Sequence, residues 1–368
     1  MSEKTWVEIR EKLKLALLIE RDTDLGLDYF NTLEERYDRM ANAIQNGEVF
    51  TSGYAPIDDA LAAGGTQRGE MYCFVGLSGT GKSRCLVVAA SENIKRDKKV
   101  LYVSLEMDQD SISGRFDSLF TNISTRNLVD NRNDVITMLK DQVADKEDNK
   151  LLVIKRFPGG TMDVNMLRAY YSQLVLNGFK PDVIIIDYIG EMKDAPGIPV
   201  HESRYRIVRD LRGFAVEEQV CIFSALQPNK SGREAQKAGF IDDENLADAF
   251  AQIRPLDGCW SINQTQIEKD AGIARLFVIK HRNGKSRFVT WLKYDDDTLR
   301  ISSITKETFQ AISKKAAAEA QVRNSDMAGY ELDQFKEKSK QQLQSDDYGF
   351  EDEKPKNNNS MTGEDSEV

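Results

Sequence analysis

Gly76-Leu77-Ser78-Gly79-Thr80-Gly81-Lys82-Ser83 is the stretch on which the fold turns. It fills every fixed position of the pattern GxxxxGK[ST]. It follows the apolar run Met71 to Val75 and leads into a second apolar run, Cys85 to Ile94, with helical spacing. A strand that turns through glycines into a helix is the arrangement that grips phosphate. Gly76, Gly79 and Gly81 let backbone N–H groups face inward, Ser78 and Thr80 lie between them, and the helix N-terminus adds its dipole. In that reading Lys82 reaches the β- and γ-phosphates, the Ser83 hydroxyl binds Mg2+, and Arg84 lies beside the nucleotide, ATP being the one expected. A ligand-free glycine turn would need neither the strand before it nor the lysine and serine at its end.

Outward from the loop, short apolar runs alternate with helical or loop stretches from Glu70 to about Ile304. The runs are Met71 to Val75, Val100 to Leu105, Leu151 to Ile154, Val183 to Ile186, Val220 to Ser224, Gly258 to Ile262, Ala274 to Ile279 and Phe288 to Tyr294. The inner ones are apolar nearly throughout, as strands covered on both faces must be. This predicts an α/β fold with a mainly parallel central sheet, doubly wound or RecA-like, a P-loop NTPase core whose last strands form hairpins. Such a loop needs an acid for Mg2+ at the end of a nearby buried strand, and Val183-Ile184-Ile185-Ile186-Asp187 ends in one. Tyr188 follows where many ATPases carry a glutamate, so the group that orients the attacking water must come from elsewhere. Glu106, after the strand Val100 to Leu105, serves two readings on its own residues: a carboxylate facing the γ-phosphate, or a solvated strand end.

Three short segments in order around the P-loop carry a resemblance. Ser104-Leu105-Glu106-Met107, Ile186-Asp187-Tyr188 and Ser224-Ala225-Leu226-Gln227 look like the motor domain of DnaB-type replicative helicases, over roughly Phe50 to Ser303. The approach Thr51 to Asp58, with Gly69-Glu70 before the first strand, is similar as well. The resemblance implies that Glu106 is the catalytic base, Asp187 the magnesium acid and Gln227 a γ-phosphate sensor linked to DNA loops. Lys280-His281-Arg282-Asn283-Gly284 resembles the family's KxRxG element, which implies Arg282 as an arginine finger for the neighbouring subunit and Lys280 as its companion. Read alone, the same residues are a basic hairpin turn, and strand alternation points His281 away from both. The family's DNA loops imply two basic stretches. One is Gly190 to Arg206, with Lys193, Arg204 and Arg206; the other is Pro228 to Gly239, with Lys230, Arg233 and Lys237.

The resemblance implies a homo-oligomer, expected to be hexameric, that runs on single-stranded DNA at a replication fork with primase or loader partners. Its pared-down form looks like those of large bacteriophages, placing it in the host cytoplasm. The family's globular primase-recruiting domain has no counterpart in 1–48, which reads as a short helical segment able to dock on a neighbouring subunit. Phe30, Leu33, Tyr37, Met40 and Ile44 give it one apolar face, and Lys4 to Glu20 forms a further helix. The motor domain is expected over 49–304, a helical extension over 305–344, and a disordered acidic tail over 345–368.

Net charge is −10, which on its face argues against nucleic acid, but Asp346 to Val368 supplies −6 of it. Cys73, Cys85, Cys221 and Cys259 form no CxxC pair and two histidines cannot build a zinc centre, so a reduced, cytoplasmic setting is expected. No apolar run is long enough to span a membrane. A RecA-like recombinase and an ATP-gated assembly adaptor share the fold; strand exchange would mark the first, and the lack of turnover the second.

Overall fold

The structure is a computed structural model that describes residues 26–45, 48–145, 150–228 and 250–322. The chain divides into two compact units, Met1–Phe309 and Gln310–Val368. Of the second, residues 310–322 are described and are helical.

The first unit is built on a nine-stranded sheet in the order β3-β2-β4-β5-β1-β6-β7-β8-β9. Its strands are β1 (Met71–Val75), β2 (Val100–Ser104), β3 (Leu152–Arg156), β4 (Val183–Asp187), β5 (Cys221–Leu226), β6 (Gly258–Asn263), β7 (Ile273–His281), β8 (Val289–Tyr294) and β9 (Ile301–Ile304). The first six run parallel, and β6 to β9 form an antiparallel meander. The expected mainly parallel α/β core with terminal hairpins is therefore present.

Alternation along each strand sorts the core into two layers. Met71, Cys73, Val75, Leu101, Val103, Ile184 and Ile186 face one side, under the helices Val164–Leu176 and Val200–Glu218. Tyr72, Phe74, Tyr102, Ile185 and Phe223 face the other, where the helix Lys82–Lys95 contributes Cys85, Leu86 and Val88 and the helix Gln109–Thr121 contributes Ile112 and Phe116. All five residues of β1, β2 and β4 are buried, the signature of strands covered on both faces. Parallel registers bring the carboxyl ends of β2 and β4 level, Ser104 opposite Asp187, and those of β1 and β5 level, Val75 opposite Leu226. Four loops consequently leave one edge of the sheet side by side, the usual place for a ligand in a doubly wound fold.

Three details differ from the sequence expectations. β9 completes the meander over Ile301–Ile304, a strand the reading of apolar runs omits. Arg204 and Arg206 stand on a helix rather than a loop, because Pro199 starts the helix Val200–Glu218 ahead of them with Glu202 in its first turn. Phe30 lies in a turn before the helix Leu33–Gln45, held there by Asp28, whose carboxylate accepts from Asn31 and whose carbonyl accepts from Thr32. The segment Lys4 to Glu20, residues 46–47 and the tail 345–368 lie outside the described residues, as does 323–344.

Candidate functional site

The loop between β1 and the helix Lys82–Lys95 fixes the site. Gly81 enters that helix at φ 91°, a left-handed conformation, and a Cβ on it would come 2.8 Å from Tyr294 Cε1. Only glycine meets both conditions. Thr80 closes the loop by donating its hydroxyl to the Leu77 carbonyl at 2.8 Å, and Tyr294 OH donates to the Thr80 carbonyl at 3.3 Å. Lys82 Nζ donates to the same Leu77 carbonyl at 2.9 Å and lies 5.8 Å from the centre of the Tyr188 ring. Its burial pushes the ammonium below its usual range, while Asp187 and Glu106 pull it back up.

Asp187 ends β4 beneath this loop. Its Oδ1 accepts from the Ser83 hydroxyl at 2.9 Å and its Oδ2 from Tyr102 OH at 2.8 Å. Burial raises its carboxyl above the usual range; those two hydrogen bonds, then Arg115 and Lys82, work the other way. A cation set between Ser83 and Asp187 would offset that burial penalty by favouring the ionised form. The pair offers a hydroxyl and a carboxylate oxygen, hard donors that suit Mg2+. Among the described residues no group of three or more His, Cys, Asp or Glu is arranged to hold a metal ion. A magnesium ion held here would have to complete its shell with nucleotide oxygens and water.

Around this pair opens a cleft of about 370 Å3, walled by Ser78, Gly79, Gly81, Lys82, Ser83 and Arg84 from the loop, Glu106 from the end of β2 and Gln227 from the end of β5. Glu106 is exposed in it, on the bend that follows β2. Ser104 holds that bend: its hydroxyl donates to the Met107 carbonyl at 2.6 Å and accepts from the Met107 N–H at 3.1 Å. Gly76 and Thr80 belong to the turn itself rather than to the cleft wall, a Cβ on Gly76 meeting Thr80 Oγ1 at 2.5 Å. Arg84 is fastened sideways. Its guanidinium donates to the Leu299 carbonyl at 2.9 Å, pairs with Asp296 at 2.7 Å and lies over the Tyr294 ring at 4.9 Å. It ties the β8–β9 turn, and with it Leu299, to the cleft.

Arg115 also walls the cleft, a position the sequence reading did not single out. It stands nine residues beyond Glu106 on the helix Gln109–Thr121, near enough to Asp187 to lower that group's pKa. A guanidinium there faces the space where phosphate charge would lie. No feature of the sequence around it marks this arginine apart from its neighbours.

Lys280 and Arg282 do not reach this cleft. β7 runs antiparallel to β6, so its last residue, His281, pairs with Gly258 at the opposite edge of the sheet from the P-loop. Lys280 Nζ donates to the carbonyls of Arg254 (2.9 Å) and Leu256 (2.6 Å), with that of Ile253 at 3.4 Å. Arg282 pairs with the buried Asp257 at 2.9 Å and is half-exposed. His281 turns inward, accepting from Trp260 Nε1 at 2.7 Å, and burial lowers its pKa to about 4.

Of the basic residues between Gly190 and Arg206, Lys193 is exposed, Arg206 pairs with Glu202 at 2.6 Å, and Arg204 reaches back to the Gly190 carbonyl at 3.5 Å. Lys193 and Arg206 share the rim of a second cavity, of about 730 Å3, lined by both signs of charge. Lys230, Arg233 and Lys237 lie outside the described residues. No helix among the described residues is long and apolar enough to cross a membrane.

The family model of the DnaB-like helicase C terminal domain matches residues 50–303. The chain is similar to the DnaB-like replicative helicase of Enterobacteria phage T4, 25% identical over 293 residues; the match takes in 78% of this chain but only 60% of the relative's length. Among solved structures, one ATPase domain is covered over 100% of its length and 77% of this chain, with a TM-score of 0.63 and 19% identity. A DnaB-like replicative helicase described with its interactions with primase aligns over 80% of this chain and 71% of its own, with a TM-score of 0.59 and 19% identity.

Proposed function

The chain belongs to the DnaB-like helicase C terminal domain family, and from that premise we propose that it is an ATP-driven replicative DNA helicase, a hexameric ring that translocates on single-stranded DNA and separates the duplex. The observation that carries this reading is the single cleft that joins Lys82 and Ser83 of the P-loop to Glu106 and Gln227 at the ends of two other strands. Phosphate grip, a base for water and a strand-end amide that senses phosphate are the parts a hydrolytic motor needs within one pocket. A binding-only adaptor would have no use for Glu106.

In this reading the loop amides and Lys82 hold the ATP phosphates, Ser83 and Asp187 hold Mg2+, and Glu106 takes a proton from the attacking water. The metal neutralises charge on the β- and γ-phosphates when bound. Gln227 follows β5 and leads into the stretch with Lys230, Arg233 and Lys237, so a shift of the amide as γ-phosphate is lost would be felt by residues that grip DNA. Lys193 and Arg204 are proposed as further phosphate contacts. Arg282, with Lys280 beside it, serves the next subunit's site. Primase and a loader are expected partners.

The test is steady-state ATP hydrolysis with and without single-stranded DNA, on protein sized in solution. Turnover by an oligomer that rises several-fold with single strands supports the motor, and duplex separation without strand exchange distinguishes it from a recombinase. Turnover indifferent to DNA overturns the helicase reading.

Ring formation is proposed to use the segment before the motor. On the helix Leu33–Gln45 and the turn before it, Phe30, Leu33, Tyr37 and Met40 are 78%, 40%, 66% and 59% exposed, an apolar stripe suited to a neighbouring subunit. Deleting Met1 to Asn46 is expected to convert oligomers into monomers by light scattering with nucleotide present. An unchanged particle size would reject this role.

A further inference from the structure

The basic pair at the end of β7 is held by one short stretch of chain. Residues 253–257 form the turn that links the helix Phe250–Ile253 to β6. The carbonyls of Arg254 and Leu256 take the Lys280 ammonium, and the carboxylate of Asp257 takes the Arg282 guanidinium. Asp257 is itself 1% exposed. Its Oδ2 accepts from the Met71 N–H at 2.9 Å, which fastens it to the foot of β1. Arg212, from the helix Val200–Glu218, donates to its Oδ1 at 3.1 Å and brings Nε within 2.5 Å of Oδ2 without aiming its hydrogen there.

A buried carboxylate with one cation is already compensated. Asp257 has Arg212 for that purpose, and the β1 amide besides. The second cation, Arg282, is therefore not required to neutralise it. The Arg282 backbone amide also donates to the Asp257 carbonyl at 2.7 Å, so main chain and side chain of Arg282 are both fixed to this one residue. Among the described residues its side-chain contact runs from Nη1 to Asp257 Oδ1, and the side chain is 48% exposed, which leaves guanidinium hydrogens available. The arrangement anchors the main chain and one terminal nitrogen of the guanidinium and leaves the rest of the group half-exposed.

We propose that Asp257 is a positioning residue for Arg282, holding that guanidinium extended from the foot of the sheet toward the next subunit's nucleotide. The inference rests on the reading of Arg282 as a group that acts across the subunit boundary. Asp257 touches no phosphate; it sets where Arg282 stands, and Arg212 holds it in place while Arg282 engages. Misplacing such a group by about 1 Å is enough to slow a reaction by up to roughly 100-fold.

The experiment compares Asp257→Asn, Asp257→Glu, Arg282→Ala and the double variant Asp257→Asn/Arg282→Ala, as full-length oligomers, for ATP turnover with single-stranded DNA. Asp257→Asn keeps an acceptor for the Met71 amide. It is expected to lower kcat roughly 10- to 100-fold while KM for ATP changes little, since its own P-loop is remote. In the double variant the loss should equal that of Arg282→Ala alone to within about twofold, because a residue that acts only through Arg282 has nothing left to position. A structural role would instead add its loss to that of Arg282→Ala and lower the melting temperature with it. If Asp257→Asn does not fold, Asp257→Glu carries the test. It retains the charge for Arg212 but shifts the anchor by a methylene, and is expected to lose activity in the same direction. A folded Asp257 variant with wild-type turnover, beside an inactive Arg282→Ala, overturns the positioning role alone. Wild-type turnover in Arg282→Ala instead overturns the reading of Arg282 on which the inference rests.

Discussion

Glu106→Gln is expected to lower ATP turnover by about 10^2- to 10^4-fold, the range contributed by a positioned general base, while the protein still binds nucleotide. The amide has the size of the carboxylate but cannot accept the proton of an attacking water. Glu106 stands exposed on the bend after β2, packed into neither core layer, so its replacement leaves the fold intact. Binding should hold or tighten slightly, since the substitution removes a negative charge from the cleft that also contains Lys82 and would receive phosphates. Titration with a fluorescent ATP analogue and steady-state hydrolysis, done on one preparation, separate the two effects. Retained turnover would remove Glu106 from the chemistry and leave a nucleotide-binding fold without an identified base.

The parts of the site that could be read from sequence are those whose chemistry sits at a strand's end. Asp187 and Glu106 each follow an apolar run, and a parallel sheet brings such ends to one edge whatever the order of its strands. The eight residues of the P-loop carry their own geometry in their glycines. What the sequence conceals is anything set by the angle at which one element crosses another. Arg115 faces the cleft only because the helix Gln109–Thr121 lies over it, and nothing within that helix marks the arginine apart from its neighbours. Arg212 and Asp257 lie 45 residues apart and meet because the helix Val200–Glu218 returns to the foot of β1. The strand β9 escapes notice because Ile301-Ser302-Ser303-Ile304 has two exposed serines between its isoleucines and so lacks period-two alternation. Arg204 and Arg206 read as loop residues because Pro196, Gly197 and Pro199 precede them, yet Pro199 begins a helix rather than prolonging the loop.

Arg282→Ala is expected to reduce hydrolysis by an oligomer about 1,000-fold, the lower end of what an arginine finger contributes to phosphoryl transfer. The argument that the effect crosses a subunit boundary is one of distance. Arg282 follows the end of β7 that pairs with Gly258 beside Tyr72 at the foot of β1, whereas the P-loop leaves β1 at Val75. A strand of this length sets them roughly 15 Å apart on opposite edges of one sheet, and no side chain rotation closes that gap. The variant should fold normally, because Asp257 keeps Arg212 and the Met71 amide when Arg282 is removed. Mixing then gives a result that neither variant gives alone. An Arg282→Ala subunit retains its own Glu106 and P-loop; a Glu106→Gln subunit retains its Arg282. Where the second presents its arginine to the first, a complete site is restored, so co-assembled inactive proteins should recover a measurable fraction of basal ATP hydrolysis. Recovery requires that the arginine act in trans, since an arginine serving its own subunit's cleft would leave every site in the mixture defective. Wild-type turnover in Arg282→Ala alone would exclude the residue from phosphoryl transfer altogether.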